Sequence, residues 1–297
     1  MSRIAYVNGR YLPQRDASVN IEDRGYQFAD GVYEVVHLHN GRFIDEDRHL
    51  DRLDRSLREL RLPAPMARPA LRAVLREVAR RNRVREGLLY MQVTRGVARR
   101  DHPFPTRSTA PAIVVTIRRI PSYPTDVAKW TATAITHPDE RWARCDIKST
   151  ALLPNVLAKQ AAREKGAVEA ILFDRDGMVT EGSSTSVWIV DRNGVLRTRP
   201  LGNEILPGCT RAALAAELRE HGIPFEESRF SVHDLKQSRE AFLTSASSFV
   251  KPIVRIDGEP VGDGSVGPVV QELFALFARH VTGGLTNAGR PEAPVQA

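Results

Sequence analysis

Residues 31–53, GVYEVVHLHNGRFIDEDRHLDRL, change period in mid-course. GVYEVVHLH reads as a strand, Asn40 and Gly41 supply a two-residue hairpin turn, and from Asp47 the residues Leu50, Leu53, Leu57 and Leu60 recur at helical spacing. The chain opens with the same signal, IAYV (4–7) turning at Asn8 and Gly9 into RYLP. After Pro63 and Pro65 a second helix is marked by Leu71, Val74, Leu75 and Val78, and strand-like runs follow at LLYMQVTRG (88–96) and AIVVTIRRI (112–120). IPSYPTD (120–126), with two prolines, reads as a linker. Beyond it the pattern restarts: a strand around TATAIT (131–136), a helix around NVLAKQAAREKG (155–166), a strand at EAILFD (169–174), and turns at 175–177 and 193–194. Helices around 210–221 and 269–280 close this half. Strands arriving in hairpins, with helices gathered in blocks, predict an α+β fold rather than a doubly wound parallel sheet. The expected domains are a smaller α+β one over 1–120 and a larger one over 121–281, with 282–297, rich in Gly, Ala and Pro, as a disordered tail.

A chain of 297 residues, 42% apolar and 27% charged, has enough apolar content for a substantial core. The formal charge of +7 does not make a nucleic-acid stripe, because the arginines are spread along the chain and interleaved with Asp and Glu. Two cysteines, Cys145 and Cys209, give no disulfide framework and no metal-ligand spacing, which fits a reducing compartment. His37 and His39 share a strand face, but no third metal ligand accompanies them; His37 lies on the face of Tyr33 and Val35, where it either lines a pocket or stands part-exposed. MSRIAYVNGRYLP has no basic segment followed by an apolar run, and no stretch reaches membrane-span length, so the expectation is a soluble cytoplasmic protein. GDGSVG (262–267) matches a dinucleotide-binding pattern, yet only one helix follows it, leaving no strand to carry the ribose-binding acid; it reads as a turn before Pro268.

Chemistry concentrates in three stretches. RCDIKST (144–150) sets Lys148 just before an apolar helix; TEGSSTSVW (180–188) ends a strand-like run at Glu181; EILPGCTR (204–211) places Pro207 and Gly208 before a helix whose N-terminus can take an anion. With EDRGYQFADGVYEVV (22–36) and RHLDRL (48–53), in this order and spacing, they resemble the fold-type IV pyridoxal-phosphate enzymes, and among them the D-amino acid aminotransferases, from about residue 4 to residue 280. The resemblance implies pyridoxal 5′-phosphate as cofactor. It gives Lys148 the role of Schiff-base lysine and then of base for the Cα proton, a pair of tasks that demands an amine. It gives Glu181 the ring nitrogen, gives the phosphate to Arg52, Cys209, Thr210, Ala246 and Ser247, and counts Leu206 among the cofactor-binding residues. Ala246 stands where Thr is common, so the backbone must serve there. Cys209 replaces an aliphatic residue and reads as packing plus a backbone donor, not a nucleophile.

Within that family the substrate trap selects the reaction. VARRDHPFP (97–105) carries Arg100 and His102 in an R-x-H arrangement resembling the carboxylate clamp of the D-amino acid enzymes, completed by Tyr33. The implied activity is ping-pong transfer of the amino group of D-alanine-like amino acids to 2-oxoglutarate or pyruvate, in a homodimer whose neighbouring subunit supplies part of the trap, Arg100 and His102 being the candidates. The clamp disfavours the rivals, a branched-chain L-aminotransferase or an aminodeoxychorismate lyase. The intact Lys148, Glu181 and phosphate motifs disfavour a non-catalytic or nucleic-acid-binding protein on the same scaffold.

Overall fold

The computed structural model describes residues 3–106 and 109–283; of the expected tail over 282–297, Thr282 instead closes the last helix and Gly283 caps it, and 284–297 lie outside the described residues. In the N-terminal half β1 (Ile4–Val7), β2 (Arg10–Pro13), β3 (Gly31–His39), β4 (Arg42–Phe43), β5 (Gly87–Thr94) and β6 (Ala112–Arg119) form an antiparallel sheet in the order β2-β1-β6-β5-β3-β4. The two Asn-Gly turns work as the sequence requires: Asn8 and Gly9 have φ of 46° and 91°, Asn40 and Gly41 of 50° and 81°, all in the left-handed region that Asn and Gly tolerate. Helix α1 (Arg24–Phe28) precedes β3, and α2 (Glu46–Glu59) and α3 (Arg68–Asn82) bring Leu50, Leu53, Leu57, Leu71, Leu75 and Val78 into one core with Val32, Val36, Leu89, Met91 and Val115 of the sheet. Outward, Arg68 pairs with Asp51 and Asp54, and Arg72 and Arg76 with Glu46, so arginines here serve a solvated helix pair.

The C-terminal half holds β7 (Ala132–Pro138), α4 (Leu153–Glu164), β8 (Glu169–Phe173), β9 (Val179–Gly182), β10 (Ser186–Val190), β11 (Leu196–Thr198), α5 (Cys209–Glu220), β12 (Glu226–Glu227), α6 (Val232–Lys236), β13 (Glu240–Ser245), β14 (Phe249–Ile256), β15 (Glu259–Pro260) and α7 (Pro268–Thr282). Their sheet runs β12-β11-β10-β13-β14-β7-β8-β9, with β15 on β14. The α+β class holds, but this sheet is mixed: β14/β7, β7/β8 and β11/β12 are parallel, and α4 makes the crossover that a parallel β7/β8 pair needs. Helices α5 and α7 cover one face through Leu214, Leu218, Phe274 and Phe277. Residues 120–126, the expected linker, carry no helix or strand, and Tyr123 packs against Phe249 and Phe274. GDGSVG is a turn leading to Pro268 at the start of α7.

The halves are bonded across their junction. His280 of α7 links Asp45, which precedes α2, to Glu217 of α5, at 3.0 and 2.8 Å. His37 is corrected here: it is buried, stacks on Phe249 and faces the carbonyl of Ala246 at 3.0 Å through Nδ1, so it braces the 245–249 loop and neither lines the cleft described below nor stands exposed. Burial holds its imidazole below the usual value, making it a neutral Nδ1–H donor to that carbonyl. His39 bonds Glu86 instead. No described helix is long and apolar enough to cross a membrane.

Candidate active site

Lys148 lies on an extended segment pinned to β3. Tyr33 N–H donates to the Lys148 carbonyl and Thr150 N–H to that of Gly31, both at 3.0 Å. Ile147 is buried in the N-terminal core, and Arg55 clasps Asp146 at 2.6 Å, so alternation along the segment sends the next side chain toward the cleft. There the Lys148 ammonium sits 4.3 Å from the centroid of the Tyr33 ring.

Glu181 occupies β9, where its carboxylate accepts from the Leu206 N–H at 3.2 Å on each oxygen and from Arg141. Burial pushes this carboxyl above its usual value and the Arg141 guanidinium pulls against that rise. Gly182 is required beside it, because a Cβ there would collide with Thr185 Oγ1. The run Ser183, Ser184 and Thr185 is held from behind by the buried Glu169, which accepts from all three hydroxyls.

The cationic end begins at α5. Its N-cap is Gly208, with no side-chain cap bond, so the first-turn N–H groups of Cys209 and Thr210 are left for a ligand. Gly208 must stay small, since a Cβ would come within 2.9 Å of Ser186 Oγ. Arg52 of α2 reaches the same place. Its fork is set by Glu34, which takes Nε and Nη2 at 2.8 Å each, while Nη1 donates to the Pro207 carbonyl at 3.0 Å. His49, one turn earlier on α2, meets the same carboxylate at 2.7 Å.

The sequence reading missed Glu34, His49 and Arg141. The signal for the first two was present, since His49 and Arg52 are three apart on one helix face while Glu34 interrupts an apolar strand; nothing local marked Arg141.

Glu34 is fully buried, yet Arg52 and His49 hold it down to about 2; burial disfavours charge on His49, but its bonds to Cys209 and Glu34 push it up to about 9. One carboxylate against two cations leaves a net positive charge beside the α5 N-terminus at neutral pH. Because the folded value of His49 lies above its ordinary 6.5, its contribution is complete below 6.5 and is lost as pH rises through about 9. Inorganic sulfate, whose own charge is constant across this range, should therefore bind several-fold more weakly on its alkaline side, because one positive charge near the anion is lost. Calorimetric titration across the range checks this; equal affinity on both sides, or a pH dependence that survives His49→Gln, would contradict it.

One cleft, with about 1020 Å³ of open space, is lined by Tyr33, Arg52, Lys148, Glu181, Leu206, Cys209, Thr210, Ala246 and Ser247. Arg100 and His102 are not among its lining residues. They are exposed on a loop beyond β5, packed on Phe28 at 4.9 and 5.5 Å between centres, and the loop is tied down by Arg24, which donates to the carbonyls of Asp101 and His102. Arg24 and Arg95 are themselves locked on Asp30 at 2.8 and 2.7 Å. Among the described residues no group of three or more His, Cys, Asp or Glu could hold a metal ion.

The cleft thus combines an anion site, a lysine amine and a buried carboxylate, a donor set that suits a phosphorylated aldehyde bearing a basic ring nitrogen. The model of the family amino-transferase class IV matches residues 31–256. The D-alanine aminotransferase of Staphylococcus aureus (strain COL) is 40% identical over 278 residues, covering 93% of this chain and 97% of that protein. The D-alanine aminotransferase of Listeria monocytogenes (serotype 1/2a, strain 10403S) is 41% identical over 278 residues, 93% of this chain and 95% of that protein. Among solved structures, the branched-chain aminotransferase of the thermophilic archaeon Thermoproteus uzoniensis with norvaline superposes with a TM-score of 0.82 at 27% identity, covering 97% of this chain and 97% of that one.

Proposed function

The chain belongs to the class IV aminotransferases, which depend on pyridoxal 5′-phosphate, and from that premise we propose that it transfers the amino group of D-amino acids, D-alanine among them, to 2-oxoglutarate or pyruvate. The observation that carries the reading is the single cleft holding Lys148, Glu181 and the Arg52–α5 anion site together. Bound there, the cofactor supplies an aldehyde that accepts the amino group and a ring that draws electrons from Cα. The chain does the rest. Arg52 and the N–H groups of Cys209 and Thr210 would hold the phosphate, with Ala246 and Ser247 beside it and Leu206 elsewhere along the cofactor. Lys148 would hold the aldehyde end through its amine and would then serve as the base for the Cα proton. Glu181 would meet the ring nitrogen, and Tyr33, from the same cleft, would serve the substrate.

The substrate carboxylate is assigned to Arg100 and His102. Because they stand away from this chain's own cleft, we assign them to the cleft of a second copy, in a homodimer. Two buried free cysteines favour a cytoplasmic setting.

A panel of D- and L-amino acids offered with 2-oxoglutarate, with product chirality determined, tests the proposal. D-alanine turnover yielding D-glutamate is expected. Preference for L-leucine would move the chain to the branched-chain activity named for the Thermoproteus uzoniensis structure.

Glu181→Gln should retain the cofactor through its phosphate end but slow Cα proton removal by about 10²- to 10³-fold, since a neutral amide cannot balance a charged ring nitrogen. Single-turnover absorbance measures this, and an unchanged rate would remove Glu181 from the role.

A further inference from the structure

We propose that Arg141 is a positioning residue which, acting through Glu181, decides whether the proton shared at the cofactor's ring nitrogen rests on the ring or on the carboxylate; this rests on the assignment of Glu181 to that nitrogen.

Arg141 lies in the loop after β7, with its side chain only 6% exposed. Nε and Nη2 donate to the two oxygens of Asp139 at 2.9 and 2.7 Å, Nη2 also donates to the Glu204 carbonyl at 3.0 Å, and Nη1 donates to Glu181 Oε1. Asp139 is fixed in turn by the Thr180 hydroxyl at 2.6 Å, from the residue immediately before Glu181. The guanidinium is therefore held rigidly against the strand that carries the carboxylate.

Asp139 alone would neutralise Arg141. Adding Glu181 gives the cluster two carboxylates for one guanidinium, leaving one negative charge for a further cation to balance. The other groups facing Glu181 are the Leu206 N–H, Lys148, and Cys145, whose thiol donates to the Trp142 carbonyl at 3.1 Å. Burial favours a neutral Glu181, and a neutral acid would keep the proton for itself. A shared proton goes to the stronger base. Arg141 touches the carboxylate directly, so it weakens that base most and leaves the proton on the ring nitrogen. No proton is gained or lost; it changes sides.

The experiment uses holoenzyme reconstituted with pyridoxal phosphate carrying ¹⁵N in the ring, with the nitrogen resonance read by NMR for wild type, Arg141→Gln, Arg141→Lys and Glu181→Gln. Expected are a protonated-ring signal in wild type and Arg141→Lys, and displacement toward the Glu181→Gln position in Arg141→Gln. The D-alanine half-reaction of Arg141→Gln should slow about a hundredfold while cofactor stays bound. Arg141→Met replaces the Gln variant should that one fail to fold. A wild-type signal in Arg141→Gln or Arg141→Met overturns the proposal, and so does a Glu181→Gln-like signal in Arg141→Lys, which would make geometry rather than charge the determinant. An unprotonated ring already in wild type, unchanged in Glu181→Gln, would sink the Glu181 assignment itself and the proposal with it.

Discussion

Lys148→Ala will transaminate D-alanine at least about 10⁴-fold more slowly than wild type, because covalent attachment and proton transfer, the latter alone worth about 10²- to 10⁴-fold, are lost together. The protein should still fold. What fixes this segment is its backbone: the Lys148 carbonyl accepts from Tyr33 N–H, and its own N–H donates to Ser56 Oγ at 3.3 Å. The side chain adds the contact with the Tyr33 ring, worth about 0.5–1 kcal/mol at such a site, and a Coulomb attraction to Glu181. Phosphate binding at Arg52 and α5 should likewise survive, so the expected signature is retained anion affinity with lost turnover. Borohydride treatment of wild-type holoenzyme followed by peptide mapping should find the cofactor on Lys148 alone. A label on another lysine, or substantial turnover by the Ala variant, would remove the central assignment.

Arg100→Ala is expected to lower kcat/KM for D-alanine by about 10²- to 10³-fold, mainly through KM, since a charge-assisted fork on a carboxylate contributes about 3–4 kcal/mol once desolvated. Cofactor binding should be untouched, because Arg100 is assigned to the substrate carboxylate, while the cofactor is assigned to Lys148, Glu181 and the Arg52–α5 site. A mixing experiment shows which subunit uses it. At D-alanine far below saturation both Arg100→Ala and Lys148→Ala turn over poorly alone, but a hybrid dimer has one site combining an intact Lys148 with the other subunit's intact Arg100. Random equal mixing should restore about a quarter of wild-type sites if the clamp is delivered across a two-fold interface. No recovery after verified exchange of subunits would place the clamp within one chain or dismiss it.

Much of this was legible along the chain because it depends on near neighbours. Asn8-Gly9 and Asn40-Gly41 specify hairpins through backbone torsions alone, and both turns form with the required positive φ. Pro207-Gly208 before an apolar helix specifies an uncapped N-terminus, which is what α5 presents. By contrast, β10 and β13 are buried on both faces, so their apolar runs lack the alternation that identifies a strand with one wet side. The parallel pairing of β14 with β7 joins residues more than a hundred positions apart, and no local pattern encodes such a partner.

By itself the sequence determined the α+β class, the hairpins and principal helices, because torsional preference and hydrophobic period act over a few residues; Lys148, Glu181 and the start of α5, which line one cleft, were marked by the resemblance of their motifs to a known family. Only the tertiary structure decided that Glu34 unites His49 with Arg52, that Arg141 grips Glu181, that His37 braces a loop, and that Arg100 and His102 stand away from their own cleft. Those facts govern charge, and charge on a buried group is set by desolvation and by Coulomb attraction across space, quantities that have no value until the chain has folded.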